Sequence, residues 1–221
     1  MIRRTFWQLA IGLLALGAMS GAYAQAAVTP DPRVDASGPN PLIETAANTM
    51  VTELDARRGE FRKNPERLYG LVERVLLPHF DVEYASRLVL GKHYRDASPE
   101  QRKRFVDAFY GSLMGNYGDA LLEFTGDRIK VLPTPTPGDA TAAVVRTEVK
   151  RSNGEKVPVN YVLRKNAQGW KVWDVVIEGV SYVKSFREDF GAEIDQKGLE
   201  AVIERLESQR KGPRKVANGT R

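Results

Sequence analysis

The chain has 221 residues, with 33 Lys and Arg against 28 Asp and Glu, 42% hydrophobic residues and no cysteine. The missing thiols exclude disulfides, thiolate metal sites and a cysteine nucleophile. The formal charge is +5, but Arg3 and Arg4 lie in the first residues and Arg210, Lys211, Arg214, Lys215 and Arg221 in the last, with no acid in either segment. The rest of the chain therefore carries −2, and a nucleic-acid partner, which wants clustered cations on the fold itself, is not expected.

Residues 1–24 have three parts: a basic start (Arg3, Arg4), an uncharged apolar run over 9–19, and the small-x-small triplet Ala22-Tyr23-Ala24. This is the pattern of a secretory signal peptide cut near Ala24. The apolar run is shorter than the roughly 20 residues that span a bilayer, and no cysteine follows the cut to take a lipid anchor. Residues 25–40, rich in Ala, Pro, Gly and Asp, read as a flexible linker. A folded domain is expected over 41–209, followed by a disordered basic tail over 210–221.

Within the domain, Pro41 is expected to open a helix with Ile43, Ala46, Ala47, Met50 and Leu54 on one face. Asn64 and Pro65 start a second, striped by Leu68, Leu71, Val72, Val75 and Leu76 and stopped by Pro78. Asp81 is placed to cap a third, ending near Gly91. Ser98-Pro99-Glu100-Gln101 is a capping box before a long helix expected over 99–124, with Phe105, Phe109, Leu113, Tyr117 and Leu121 at intervals of four. Gly111, Gly115 and Gly118 cost that helix about 1 kcal/mol each against alanine. Either another element approaches closely there or the helix breaks.

The period then changes to two. A short strand near Ile129, a proline-rich connector, and two strands flanking an Asn153-Gly154 hairpin signal lead to a last strand over 169–177. Helical spacing returns at Tyr182, Val183, Phe186 and Phe190, and again at Leu199, Val202, Ile203 and Leu206. Helices, then a meander of three or four strands, then helices indicate an α+β fold with a curved antiparallel sheet wrapped by helices.

The last strand, Trp170 to Ile177, is apolar on both faces, so both need cover. Parity groups Val145, Thr147 and Val149 with Val159, Tyr161 and Leu163 and with Trp173, Val175 and Ile177 on one largely apolar face. The other face mixes Trp170, Val172, Val162 and Val176 with Arg146, Glu148, Asn160, Arg164 and Asp174. Helices can cover both faces, or a cavity for an apolar ligand can lie between sheet and helices. Asp174 is expected to pair with Arg164 or Arg146, since an unpaired buried charge is costly. The competing reading makes it a general base in an apolar pocket.

Catalytic signatures are sparse. His79 and His93 show no metal-ligand spacing, and there is no nucleophile elbow, phosphate-binding loop or dinucleotide fingerprint. No cofactor, metal or catalytic residue is assigned.

"FDVEYASRLVLGKHYRDASPEQRKRFVDAFYGSL", "PVNYVLRKNAQGWKVWDVVIEGVSYV" and "GLEAVIERLE" resemble the MlaC family of periplasmic phospholipid-binding proteins, of the toluene-tolerance type. The resemblance runs from about Pro41 to Leu206. It implies a nuclear-transport-factor-2-like core around a deep hydrophobic cavity that holds acyl chains. It also implies a periplasmic, non-enzymatic carrier that exchanges phospholipid cargo between an outer-membrane lipoprotein–porin complex and an inner-membrane ABC transporter, maintaining outer-membrane lipid asymmetry. The chain is expected to act as a monomer.

The expected cavity wall comprises Leu76, Tyr84, Leu88, Phe105, Phe109, Leu113 and Tyr117 from the helices, and Val145, Val149, Val159, Tyr161, Leu163, Trp173, Val175 and Ile177 from the sheet. Lys92 and Arg95 flank the cap of the long helix, where they are placed either at the mouth or in a solvated loop. The alternative is an isomerase or dehydratase, since the same core architecture hosts such enzymes. That reading needs Asp174 or Glu178 unpaired inside the cavity.

Overall fold

The computed structural model describes residues 29–117, 121–122, 129–135, 138–150 and 154–209. The signal segment, residues 25–28 of the expected linker, the basic tail, the Tyr117 side chain, residues 118–120 and 123–124 of the expected long helix and Asn153 of the expected hairpin turn lie outside them. Seven helices and five strands are described: α1 (Pro39–Lys63), α2 (Pro65–Val75), α3 (Val82–Leu90), α4 (His93–Asp96), α5 (Pro99–Tyr117), β1 (Ile129–Val131), β2 (Ala142–Lys150), β3 (Lys156–Asn166), β4 (Gly169–Ile177), β5 (Val180–Ser181), α6 (Tyr182–Lys197) and α7 (Leu199–Gln209). A 3-10 turn, Leu77–His79, joins α2 to α3. The sheet is a single antiparallel meander in the order β1-β2-β3-β4-β5. Among the described residues no helix is long and apolar enough to cross a membrane.

The helix starts follow their capping chemistry. The Asp81 side chain accepts from Tyr84 N at 3.1 Å, and Ser98 and Gln101 exchange two bonds of 3.1 Å in a reciprocal capping box. α5 runs unbroken through Gly111 and Gly115. α1 starts two residues before Pro41, and the segment before it is held to the body. Asp31 N donates to Arg74 O at 3.0 Å, Asp35 N to Thr45 Oγ1 at 2.8 Å, and Arg33 bridges Asp31 (2.6 Å) and Glu53 (2.9 Å). Residues 31–38, grouped with the linker on composition, thus pack against α1 and α2. α1 loses helical geometry at Arg57 (φ −130°, ψ 15°), two residues before Gly59.

The fifth strand follows a turn at the end of β4, where Gly179 permits a bulge or turn. Ile177 pairs with Val180, leaving Glu178 (φ 52°) and Gly179 (φ 84°) as a two-residue loop. Positive φ at both positions is the type I′ arrangement, which suits the strand twist. Glycine adopts it freely, whereas Glu178 does so at a cost of about 1–2 kcal/mol.

One bulge changes the expected faces of β4. Val175 lies opposite Tyr161 and Ile177 opposite Val159, but the register shifts between Val162 and Leu163, so that Val172 faces Leu163 and Trp170 faces Lys165. A one-residue shift moves every later side chain to the other face. Trp170 and Val172 therefore join Val145 and Leu163 under Leu42 and Ile43 of α1. Trp173 instead meets the Tyr84 ring of α3 edge-on at 5.6 Å.

The expected Asp174–arginine pair does not form. Asp174, 5% exposed, accepts from Ser181 Oγ at 2.6 Å and from Val183 N at 3.0 Å. Ser181 caps α6 by accepting from Lys184 N at 3.1 Å. The carboxylate is thus compensated by the free N–H groups and the positive end of the α6 dipole. Arg164 lies 4.1 Å over the Tyr84 ring and 3.6 Å from Asp81. Thr147, the one buried hydroxyl amid the valines of β2, donates to Val159 O at 2.8 Å.

Candidate functional site: an apolar cavity beneath the first helix

The buried side chains form three clusters. One joins α1, α2 and α5 through Met50, Leu54, Phe61, Leu68, Leu71 and Val75. Another joins α3, α5, α6 and α7 through Val89, Phe105, Phe109, Phe190, Val202 and Ile203. The third lies between the start of α1 and the sheet. The first and third share α1 but do not merge. Between them is a cavity of about 130 Å³, walled by Leu42, Ile43, Ala46, Ala47, Met50, Val51 and Leu54 of α1. Leu76, His79, Phe80, Leu121, Ile129, Tyr161 and Val172 complete it.

The local reasons for this wall are simple. Positions 42, 43, 46, 47, 50, 51 and 54 follow the three-and-four spacing of one helical face. The alanines at 46 and 47 leave room that a larger residue would fill. From the sheet, the inward parity of Tyr161 and the bulge-shifted Val172 supply the opposite side. Phe80 reaches it because its chain bridges to Val172, with Asp81 N donating to Val172 O at 2.7 Å.

Polar groups at the cavity are few. His79 is 8% exposed, and its Nε2 has no hydrogen-bond partner among the described residues. Burial, reinforced by the nearby charge of Lys171, pushes the His79 imidazole below its ordinary pKa, so it is neutral at pH 7. Lys171, itself lowered by burial, donates to the Pro78 carbonyl. Burial pushes the Tyr161 hydroxyl upward. No Asp or Glu is among the described lining residues, and no group of described His, Asp and Glu could hold a metal ion.

Of the expected wall residues, Leu76 and Tyr161 line this cavity. Val145 and Leu163 are buried beside it in the third cluster, with Val175 packed against them. Val149, Val159 and Ile177 follow the inward parity farther along the sheet, where Val149 faces Ile129 and Val157 and Val159 faces Thr147 and Ile177. Phe105, Phe109 and Leu113 belong to the second cluster, where Phe105, Phe109, Phe186 and Phe190 form a ring cluster with centroids 5.2–5.9 Å apart. Tyr84 and Trp173 pack on each other, and Leu88 is half-buried on α3. Lys92 pairs with Asp195 of α6 at 2.8 Å, and neither it nor Arg95 borders the cavity. The α1 wall, His79, Phe80, Leu121, Ile129 and Val172 were not anticipated. The α1 stripe was visible in the sequence, but its spacing does not distinguish a face packed on protein from one lining a void.

The family model for MlaC protein matches residues 44–208. The chain belongs to the MlaC family. It is 32% identical over 166 residues to the toluene tolerance protein ttg2D of Pseudomonas putida, covering 75% of this chain and 77% of that protein. Over 180 residues it is 27% identical to the intermembrane phospholipid transport system binding protein MlaC of Haemophilus influenzae, covering 80% and 84%. A solved structure, the phospholipid-binding protein from Ralstonia solanacearum in complex with a phospholipid, superposes with a TM-score of 0.69 at 25% identity, over 76% of this chain and 93% of that one. The α+β fold with an open antiparallel sheet is thus shared by this MlaC-family chain and a phospholipid-binding neighbour.

Proposed function

We propose that this chain is a periplasmic phospholipid carrier, exchanging diacyl lipids between an outer-membrane lipoprotein–porin complex and an inner-membrane ABC transporter and so maintaining outer-membrane lipid asymmetry. The observation that carries the reading is the apolar cavity between α1 and the sheet, in a MlaC-family fold whose structural neighbour is in complex with a phospholipid. The lining favours a carrier over an isomerase or dehydratase. No described carboxylate reaches it, and both Asp174 oxygens are engaged at α6 on the other face of the sheet.

Size dictates how cargo enters. An engineered apolar cavity of about 150 Å³ accommodates one benzene, so about 130 Å³ is too small for two acyl chains. Loading requires α1 to move from the sheet. The kink at Arg57 divides α1 into a part that walls the cavity and a part fixed by Phe61, which is fully buried against α2. Opening then means parting the start of α1, where Leu42 and Ile43 pack on the sheet, from that sheet, while Phe61 keeps the far end on α2.

Release is a separate problem. A diacyl lipid has on the order of 30 CH₂ groups, each contributing ~0.8 kcal/mol when buried. The gross term of roughly 24 kcal/mol exceeds the practical limit of about 18–21 kcal/mol for non-covalent affinity. Ordering and opening costs lower the net value, yet loss into water stays slow. Cargo leaves only where a docked partner offers the chains another apolar site. Native mass spectrometry of freshly purified protein should therefore show a phospholipid adduct. A spectrum containing the bare chain alone would sink the reading.

A further inference from the structure

The cavity contains two hydrogen-bonding groups that the fold itself does not use. His79 Nε2 is buried without a partner. Tyr161 is half-buried and lines the same cavity, and burial pushes its hydroxyl pKa upward. No described group hydrogen-bonds the Tyr161 hydroxyl either. A buried polar atom left unpaired is costly, and His79 Nε2, together with the unpaired Tyr161 hydroxyl on the same apolar lining, points to a ligand that supplies acceptors.

We propose that His79 Nε2–H and the Tyr161 hydroxyl are the two donors that hold the ester carbonyls of an acylated glycerol. This rests on the carrier reading above. The chemistry selects the acceptor. Both donors are neutral, and the cavity lining around them is aliphatic and aromatic; the Lys171 ammonium near His79 is outside that lining and is engaged by the Pro78 carbonyl. A phosphate would bring a charge that such walls cannot solvate. Methylene chains offer no acceptor. The carbonyls that join the chains to glycerol are neutral acceptors, two per diacyl lipid, matching the two donors in number. His79 follows α2 on a 3-10 turn fixed by His79 N donating to Leu76 O at 2.9 Å. Tyr161 is fixed by β-pairing to Val145 and Val175. Both donors therefore sit on the static side of the cavity, opposite the helix that must move.

The test uses full-length protein incubated with mixed micelles holding one phosphatidylglycerol in equimolar diester and diether forms of identical chains. The diether lacks both carbonyls. The bound lipids are extracted and their ratio read by mass spectrometry. The wild type should enrich the diester by roughly three- to tenfold for each bond formed. Tyr161→Phe, which removes a single oxygen, should lose one such factor. His79→Phe should lose the other, while His79→Gln, which keeps a donor, should recover part of it. If the wild type holds both lipids equally, the proposal fails and the carrier reading stands. If it holds neither, both fail. Should His79→Phe not fold, the wild-type ratio and Tyr161→Phe still decide the matter.

Discussion

The two ends of the helical layer solve the same burial problem differently. Around α5, α6 and α7, four phenylalanines stack and cross, and Val202, Ile203 and Leu206 close the cluster with almost no exposure. Under α1 the side chains are mostly aliphatic, two are alanines, and a cavity remains. Dense packing is the ordinary state of protein interiors, so the void under α1 is the feature that needs a reason. The ring cluster leaves no such space, whereas the cavity proposed to admit a ligand lies where the other two clusters meet without merging.

Emptying the dense end should give the largest effect. Phe105 is fully buried between α5 and α6 and touches the rings of Phe109 and Phe190. Phe105→Ala should cost about 3–5 kcal/mol, read by denaturant unfolding. The ratio of diester to diether lipid held by the surviving folded protein should not change. A shift in that ratio would erase the separation between the two regions.

Filling the loose end should do the reverse. Ala46 lies on the cavity wall of α1 and is itself buried. Ala46→Leu extends carbon into the void and should raise stability by about 0.5–2 kcal/mol, the usual gain from filling a cavity. Co-purified lipid, measured by extraction, should fall. A more stable protein with unchanged lipid would show that acyl chains lie elsewhere.

Much of this contrast was legible in the sequence, and its limits are instructive. Asp81, Ser98 and Gln101 announced their helix starts because capping is local chemistry. The α+β order followed from the change in hydrophobic period. Strict alternation puts Trp173 and Val172 on the faces opposite to those they occupy, because a bulge at Val162/Leu163 is a pairing event with no clear mark in one strand alone. Parity pairs Asp174 with arginines because it shows which residues share a face. It cannot show that α6 would begin beneath the carboxylate. The large aromatics of α5 suggested a cavity wall, yet size signals burial, and here the rings bury one another. The alanines of α1, small and unremarkable in the sequence, make the space.

The smallest predicted effect concerns how α1 is held in place. Asp31 is tied to Arg33, which also reaches Glu53 on α1, while Asp31 N holds the Arg74 carbonyl at the end of α2. The Arg33 hydrogen bond lowers the Asp31 pKa from 3.8 to about 2. In the unfolded chain the carboxyl titrates near 3.8, so the folded state gains stability fully above that value and loses it as pH falls through about 2. The Arg33 side chain is 47% exposed, and solvent screening reduces the contribution to about 1 kcal/mol or less. Asp31→Asn should therefore lower stability by that amount at pH 7, with the difference from wild type shrinking below pH 3.8 and vanishing only below about pH 2, as followed by thermal unfolding across pH. Because the bridge ties down α1, the helix proposed to move for loading, the same variant should exchange lipid with micelles faster at pH 7. A destabilised protein whose exchange rate is unchanged would mean that this clasp supports the fold without restraining the cavity wall.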